Sequence, residues 1–126
     1  MIGYVMVGTN DLQRAAQLYD AALEPLGLCR AESNDDYVAY APPNAPSAIE
    51  FYVTKPFDQQ AATFGNGGMI ALLAASRDAV DQFHAVALKN GGVDEGAPGP
   101  RPADADVYYA YIRDFDGNKI CAFYPD

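Results

Sequence analysis

The chain has 126 residues, half of them hydrophobic, with 17 acidic and 8 basic residues and a net charge of -9. This length fits one domain, 1–126, and the negative charge argues against nucleic-acid binding and against docking on an anionic membrane. No apolar run approaches the roughly 20 residues of a membrane-spanning helix. Two cysteines cannot form a disulfide framework, and the first residues do not look like a secretory signal, so we expect a cytoplasmic protein.

The first half of the chain predicts a strand followed by an amphipathic helix. Residues 2–8 alternate loosely between apolar and polar positions, as a strand does. Thr9 or Asn10 is expected to cap the helix, with Asp11 in its first turn at the positive end of the helix dipole. Pro25 and a glycine two residues later end the helix. Its apolar stripe, at three- and four-residue spacing, consists of Leu12, Ala15, Leu18, Tyr19, Ala22 and Leu23.

The second half repeats this pattern. An offset of 65 residues places Gly3-Tyr4-Val5 on Gly68-Met69-Ile70 and predicts a strand over 68–74 and a helix capped by Ser76. A later offset of 71 places Tyr37 on Tyr108, Tyr40 on Tyr111 and Glu50 on Cys121, and we assign the difference to a longer loop at GGVDEGAPGPRPADAD. Gly91 is expected to end the second helix in the left-handed conformation. The stripe of this helix is expected to contain Val80, Phe83, Ala87 and Leu88.

The remaining strands are rich in Tyr, Val and Ile, at about 36–41, 47–54, 106–113 and 118–124. Three strands are expected after each helix. The last two are joined by a tight turn in which Gly117 takes a positive φ and Asp116 bonds its own backbone. This hairpin sets Arg113 opposite Lys119. One of its faces then carries Tyr109, Tyr111, Arg113, Lys119, Cys121 and Phe123, and the other meets the helix.

Two βαβββ modules, at about 1–57 and 66–126, with the segments TNDLQRAAQLYDAALEPLG and YIRDFDGNKI, resemble the vicinal-oxygen-chelate superfamily. That superfamily includes glyoxalase I, bleomycin-resistance proteins, fosfomycin-resistance enzymes and extradiol dioxygenases, and KPFDQQAATFGNG is similar to its glyoxalase-like members. The resemblance covers the whole chain. It implies an α+β fold in which two βαβββ modules form a cup-shaped mixed sheet, and a homodimer whose pockets lie within one chain or across the dimer.

Catalytic members of this family hold one divalent metal with four side chains on the first and last strands of the two modules. These are usually His or Gln, then Glu, His and Glu. The resemblance places the four positions at Tyr4, Glu50, Met69 and Cys121. A phenol, a single carboxylate, a thioether and a thiol do not jointly suit a hard or borderline cation. We therefore expect no metal and no other cofactor, with a divalent metal on atypical ligands as the disfavoured alternative.

Tyrosines and other apolar side chains alternate onto the expected pocket face, as in a small-molecule site. The same alternation is typical of an ordinary sheet core, so that alternative stays open. The expected ligand-binding residues are Tyr4, Met6, Glu50, Tyr52, Met69, Tyr109, Tyr111, Arg113, Cys121 and Phe123. Glu50 is the candidate catalytic residue, because an inward carboxylate can act as a general base or bind an amine. An exposed orientation of Glu50 is the alternative.

Three other residues carry chemistry that the sequence does not assign to the site. His84, the only histidine, is expected on the outer side of the second helix, half-buried or facing solvent, rather than in a metal or acid–base role. Cys121 is expected to be an inert buried thiol, and Cys29 to serve packing.

The most specific function that these residues predict is metal-free binding of a small organic molecule in an aromatic cup. One alternative is a lactoylglutathione lyase-like enzyme, or another metal-dependent lyase, isomerase or dioxygenase with atypical ligands. Others are a metal-free enzyme that uses Glu50 and an oligomeric scaffold without a ligand. Whether the protein is an enzyme is left open, and a lyase or isomerase of the glyoxalase type is the enzymatic alternative.

Overall fold

The computed structural model describes all residues, 1–126, as two four-stranded sheets and two helices, which confirms the α+β class. The first module contains β1 (Val5–Gly8), α1 (Leu12–Leu23), a short 3₁₀ turn (Glu24–Leu26), β2 (Cys29–Ser33), β3 (Tyr37–Ala41) and β4 (Phe51–Thr54). The second module contains β5 (Ile70–Leu73), α2 (Arg77–Lys89), β6 (Val93–Pro100), β7 (Val107–Arg113) and β8 (Lys119–Pro125). Each module therefore has the predicted βαβββ order.

Both sheets have the same strand order, β1-β4-β3-β2 in the first and β5-β8-β7-β6 in the second. The first strand of each module is parallel to the last, and the other neighbours are antiparallel. The sheets are separate, so β1 and β5 are end strands without a hydrogen-bonded neighbour on their outer side. Neither helix is long and apolar enough to cross a membrane.

The helices begin at side-chain caps, one of which differs from the prediction. Asp11 is the cap of α1, where its carboxylate accepts a hydrogen bond from the amide of Arg14 at 3.1 Å. The predicted cap at Thr9 or Asn10 is wrong, because the backbone is still extended at Asp11. The hydroxyl of Thr9 instead accepts from the Asp11 amide at 3.1 Å. The predicted cap of α2 is confirmed, since the Ser76 hydroxyl accepts from the Ala79 amide.

One hydrophobic core joins the two modules. It is formed by the buried sides of α1 and α2, which contact each other, and by the helix-facing sides of both sheets. The predicted stripe of α1 is buried apart from the partly covered Leu12. In α2 the predicted stripe extends one residue too far, because Leu88 is 37% exposed at the last turn. Each sheet thus keeps a second face that the helices leave uncovered.

A buried carboxylate also joins the modules. Asp114, at the turn between β7 and β8, accepts a hydrogen bond from the hydroxyl of Tyr19 on α1 at 2.5 Å. It also accepts from the side-chain amide of Asn118 and from the backbone amides of Asp116 and Asn118. Burial raises the pKa of Asp114 and outweighs the hydrogen bonds from Tyr19 and Asn118, which lower it. The side-chain amide of Asn118 also donates to the carbonyl of Gly8 at the end of β1.

The hairpin of β7 and β8 has the predicted register, with Arg113 opposite Lys119 and Gly117 at φ +86°. The predicted hydrogen bond from the Asp116 side chain to the turn backbone is wrong. The carboxylate of Asp114 accepts from the backbone amides of this turn instead. The carboxylate of Asp116 accepts from the backbone amide of Asn10, which precedes α1, at 2.9 Å.

The 71-residue offset is wrong by one residue for β3 and β7. Tyr40 pairs with Phe51 and lies in the core, whereas Tyr111 pairs with Cys121 on the face opposite the helix. A shift of one residue exchanges the two faces of a strand, so Tyr40 and Tyr111 are not equivalent. The predicted long loop is also wrong in part, because residues 93–100 form the bulged strand β6. Turns over 42–48 shorten the strand expected at 47–54.

Candidate functional site

The uncovered face of the first sheet, here called the first-module face, carries Tyr4, Met6, Tyr37, Glu50 and Tyr52. The ring centroid of Tyr52 lies 5.0 Å from that of Tyr4 and 5.4 Å from that of Tyr37, both in edge-to-face geometry. Tyr4 and Met6 are about half exposed, at 57% and 51%. A cavity of about 380 Å³ opens beside Met6 and Tyr37 and reaches the exposed Phe57. This face therefore offers an aromatic surface with open space in front of it.

Glu50 lies at the edge of this aromatic surface. Val5 pairs with Phe51, and the Val5 amide donates to the Glu50 carbonyl at 3.0 Å, so Glu50 is level with Tyr4 on the neighbouring strand. The residue is exposed, and its carboxylate takes part in none of the four ion pairs. Arg113 pairs with Glu95 and not with Glu50. Glu50 thus has the exposed orientation that the sequence left as an alternative, and its carboxylate is accessible.

The uncovered face of the second sheet, the second-module face, carries a row of stacked rings. Tyr109 lies between Tyr111 and Phe123, with centroid distances of 5.9 and 5.8 Å and interplanar angles of 9° and 21°. Two cations lie over Tyr111, the guanidinium of Arg101 and the ammonium of Lys119, each 5.3 Å from the ring centroid. The stacked rings form a wall that is positively charged at its Tyr111 end.

Cys121 lies beneath this wall and is fully buried. Burial raises the pKa of its thiol to about 11, although the nearby charges of Lys119 and Arg101 lower it. The thiol is therefore neutral near pH 7, and a neutral thiol is a poor nucleophile and a poor metal ligand. This agrees with the expectation of an unreactive cysteine. Cys29 differs from its prediction, because it is exposed on β2 rather than packed.

The four family metal positions do not supply a suitable set of donors. Tyr4 and Glu50 lie on the first-module face, and Met69 and Cys121 belong to the second sheet. Ile70 pairs with Ile120, so Met69 is level with Lys119, whereas Cys121 is opposite Ala71. The strand register thus makes Lys119, a cation, the counterpart of Glu50. No three His, Cys, Asp or Glu side chains are grouped so that they could hold a metal ion. A phenol, a thioether, a neutral thiol and one carboxylate do not fit a divalent metal.

His84 lies on the helix side of the second module, away from both faces. Its Nε2 atom is 2.9 Å from a carboxylate oxygen of Asp94 on β6, and the residue is 8% exposed. It is therefore more buried than predicted, and it packs α2 against β6. No imidazole reaches either face.

The two faces remain separate within one chain. No ring of the first-module face contacts a ring of the second-module face. No cavity is lined by tyrosines of both faces. The predicted site residues therefore form two groups. The first-module group is Tyr4, Met6, Glu50 and Tyr52. The second-module group is Tyr109, Tyr111, Arg113, Cys121 and Phe123, together with Met69, which directly precedes β5.

Two residues of these faces were missed by sequence reasoning. Tyr37 contacts Tyr52, but the one-residue error in the repeat aligned it with Tyr108, which packs toward the helices. Arg101 lies within the predicted loop and directly follows β6. Strict alternation counted back from the core residue Tyr40 would have placed Tyr37 on the uncovered face. No sequence signal identified Arg101.

Comparison with known proteins identifies relatives over the whole chain. Residues 1–122 match the family profile of the Glyoxalase/Bleomycin resistance protein/Dioxygenase superfamily. A glyoxalase/bleomycin resistance protein from Albidiferax ferrireducens is 42% identical, with a TM-score of 0.88 over 100% of this chain and 99% of that chain. No match is found among curated proteins.

More distant structures share the fold. A glyoxalase-related enzyme from Fulvimarina pelagi is 15% identical, with a TM-score of 0.72 over 98% of this chain and 87% of that chain. A fosfomycin resistance protein from Listeria monocytogenes is 13% identical, with a TM-score of 0.68 over 100% of this chain and 93% of that chain.

Proposed function

The chain belongs to the Glyoxalase/Bleomycin resistance protein/Dioxygenase superfamily, and we propose that it binds a small organic molecule without a metal. The observation that carries this proposal is the pair of aromatic groups on the uncovered sheet faces. Rings of this kind provide apolar area with few rotatable bonds, and the nearby Glu50 and Lys119 provide polar groups that orient a ligand. Two unpaired cysteines suit a reducing compartment such as the cytoplasm.

We further propose that a second copy of the chain completes the binding site. Neither face alone encloses a ligand, and both end strands leave their outer edges unpaired. Exposed apolar side chains lie on those strands, with Met6 51% exposed on β1 and Leu73 63% exposed on β5. Exposed apolar edges are typical of surfaces that pair with another chain. A homodimer that joins β1 of one copy to β5 of the other would bring two unlike faces together.

The assembly is tested by sedimentation equilibrium at micromolar concentration. We expect a dimer, and we expect Leu73→Glu to yield a folded monomer that no longer binds small aromatic compounds in saturation-transfer NMR. Leu88→Glu is the matched control, because Leu88 is an exposed leucine on α2, away from β5. A monomeric parent protein that still binds the compounds would exclude the two-copy site.

The absence of a metal role is tested by rebuilding the donor set. The purified protein is expected to contain no stoichiometric divalent ion by elemental analysis. The variant with Tyr4→His, Met69→His and Lys119→Glu is expected to bind Zn²⁺ or Ni²⁺ in calorimetry, because the strand register places Lys119 level with Met69, as Glu50 is level with Tyr4. The control carries Cys121→Glu in place of Lys119→Glu and is expected to bind the ion more weakly, because Cys121 is buried and lies opposite Ala71. A stoichiometric metal in the parent protein would contradict the proposal.

The accessible carboxylate of Glu50 supports a second candidate, catalysis by proton transfer. It is exposed, unpaired and beside the rings of the first-module face, where it can contact a bound molecule. Turnover of the methylglyoxal–glutathione hemithioacetal, with and without added Ni²⁺ or Zn²⁺, tests the glyoxalase form of this candidate. If Glu50 is the base, Glu50→Gln abolishes turnover and leaves binding in place. Absence of turnover in the parent protein would leave binding as the function.

A further inference from the structure

The second-module face carries positive charge on a chain that is otherwise strongly acidic. Three of the eight basic residues, Arg101, Arg113 and Lys119, lie on it. Arg113 is engaged with Glu95 and with the carbonyl of Gly117. Arg101 and Lys119 belong to no ion pair, although the chain has 17 acidic residues. This face therefore holds two cations whose charge is not neutralised by a direct partner.

The nearest carboxylates are committed to other cations or donors. Asp94 is close enough to Arg101 for its pKa to be affected, but its carboxylate is bonded to His84 and to the amide of Gly96. Glu95 is bonded to Arg113, with Lys119 farther away. Counting Arg101, Arg113 and Lys119 against Asp94 and Glu95 leaves one net positive charge, and neither Arg101 nor Lys119 is in direct contact with a carboxylate.

The two unpaired cations converge on one ring. Arg101 follows β6 and Lys119 begins β8, and these two strands flank β7 on either side. Both side chains reach the ring of Tyr111, which lies on β7. Arg101 uses one guanidinium nitrogen to donate to the carbonyl of Ala97 at 2.9 Å. Its other N–H groups and the ammonium of Lys119 are then available to an oxyanion, and guanidinium groups bind carboxylates in a bidentate manner.

The ring wall supplies the second half of the recognition. The rings of Tyr109, Tyr111 and Phe123 lie in nearly parallel planes as one stack, so a flat ligand can pack edge to face against this row without rearranging it. We propose that the ligand is an aromatic carboxylate, whose ring packs against the edges of Tyr109 and Phe123 and whose carboxylate binds Arg101 and Lys119. This assignment rests on the proposed binding function and specifies the class of molecule bound.

The test compares two probes of nearly equal shape, 1-naphthoate and 1-naphthamide, by titration calorimetry at low salt. We expect naphthoate to bind at least about 10-fold more tightly, since a charge-assisted hydrogen bond contributes about 1.5 kcal/mol or more. Arg101→Gln and Lys119→Gln are each expected to remove about that factor for naphthoate and to leave naphthamide unchanged. Lys89→Gln, at the exposed end of α2, is the control and is expected to alter neither.

The location of binding is read from the backbone amide shifts of Tyr109, Tyr111 and Phe123 in NMR spectra. Equal affinity for the two probes, with shifts at these residues, would overturn the carboxylate assignment and retain the proposed binding function. No binding of either probe at these residues would overturn both. Tighter binding of naphthoate with no response to Arg101→Gln or Lys119→Gln would also overturn the assignment, because the charge would then lie elsewhere.

Discussion

The hydrogen bond between Tyr19 and Asp114 should stabilise the whole domain, because it is buried and joins the two modules. Tyr19 is 1% exposed and Asp114 3% exposed, and the oxygen atoms are 2.5 Å apart. Tyr19→Phe removes the hydroxyl and nothing else. Hydrogen bonds to charged groups contribute about 1.5–3 kcal/mol. Three other donors stay on the carboxylate, so we expect a loss of about 2 kcal/mol in the free energy of unfolding.

Urea unfolding followed by far-UV circular dichroism measures this loss. With a slope of about 1.5 kcal/mol per molar urea, typical for a small domain, the midpoint should fall by about 1 M. Tyr37→Phe is the matched control, because the Tyr37 hydroxyl also donates to a carboxylate, that of the exposed Glu32. We expect little or no change there, since solvent replaces the lost bond. Equal shifts for the two variants would refute the argument from burial.

The same pair predicts a pH dependence. Burial raises the pKa of Asp114 above its ordinary value of 3.8, so the folded state binds this proton more tightly than the unfolded state. The stabilisation from this group is therefore fully present below pH 3.8 and is lost as the pH rises through the raised value. Tyr19→Phe removes a donor that lowers this pKa. The variant should therefore keep the stabilisation from Asp114 up to a higher pH. Unfolding midpoints measured across this range, relative to those of Asp114→Asn, isolate the contribution.

Three further outcomes follow from local geometry. Iodoacetamide should alkylate the exposed Cys29 of the folded protein and leave Cys121 unmodified until urea unfolds it, as intact mass will show; rapid labelling of both would contradict the buried thiol. Gly117→Ala should lower the free energy of unfolding by about 1–2 kcal/mol, because φ is +86° and the new methyl group overlaps the ring of Phe64. An unchanged urea midpoint would refute this. The hydrogen bond from His84 lowers the pKa of Asp94 below its ordinary value of 3.8. The stabilisation that the Asp94 carboxylate contributes is therefore present above pH 3.8 and is lost as the pH falls through the lowered pKa. Asp94→Asn lacks this carboxylate, so the fall of its melting temperature at acid pH should be smaller than that of the parent protein.

The sequence predicted the elements better than it predicted their faces. Hydrophobic spacing in α1 and the alternation in β7 and β8 identify the buried sides, because each of these elements packs one side against a single core. The faces of β3 were misassigned because identical residue types, Tyr40 and Tyr111, invited an alignment that was one residue out of register. In a strand such an error transfers every side chain to the other face.

The candidate site was harder to predict than the fold because it depends on contacts between distant segments. Arg101 reaches Tyr111 only because β6 bulges and pairs with β7, which local residue preferences do not reveal. The ion pair of Arg113 with Glu95 likewise depends on that pairing. Glu50 is exposed because it lies on the sheet face that the helices do not cover, whereas the next residue, Phe51, is buried against them.

The buried seam between α1 and α2 has a consequence for the two halves of the chain. Neither half could now be expressed alone, since a fragment ending within 55–69 would expose apolar helix surface and leave Tyr19 without its acceptor. A single module of this kind would need a second molecule to cover that seam, and here the other half of the same chain covers it.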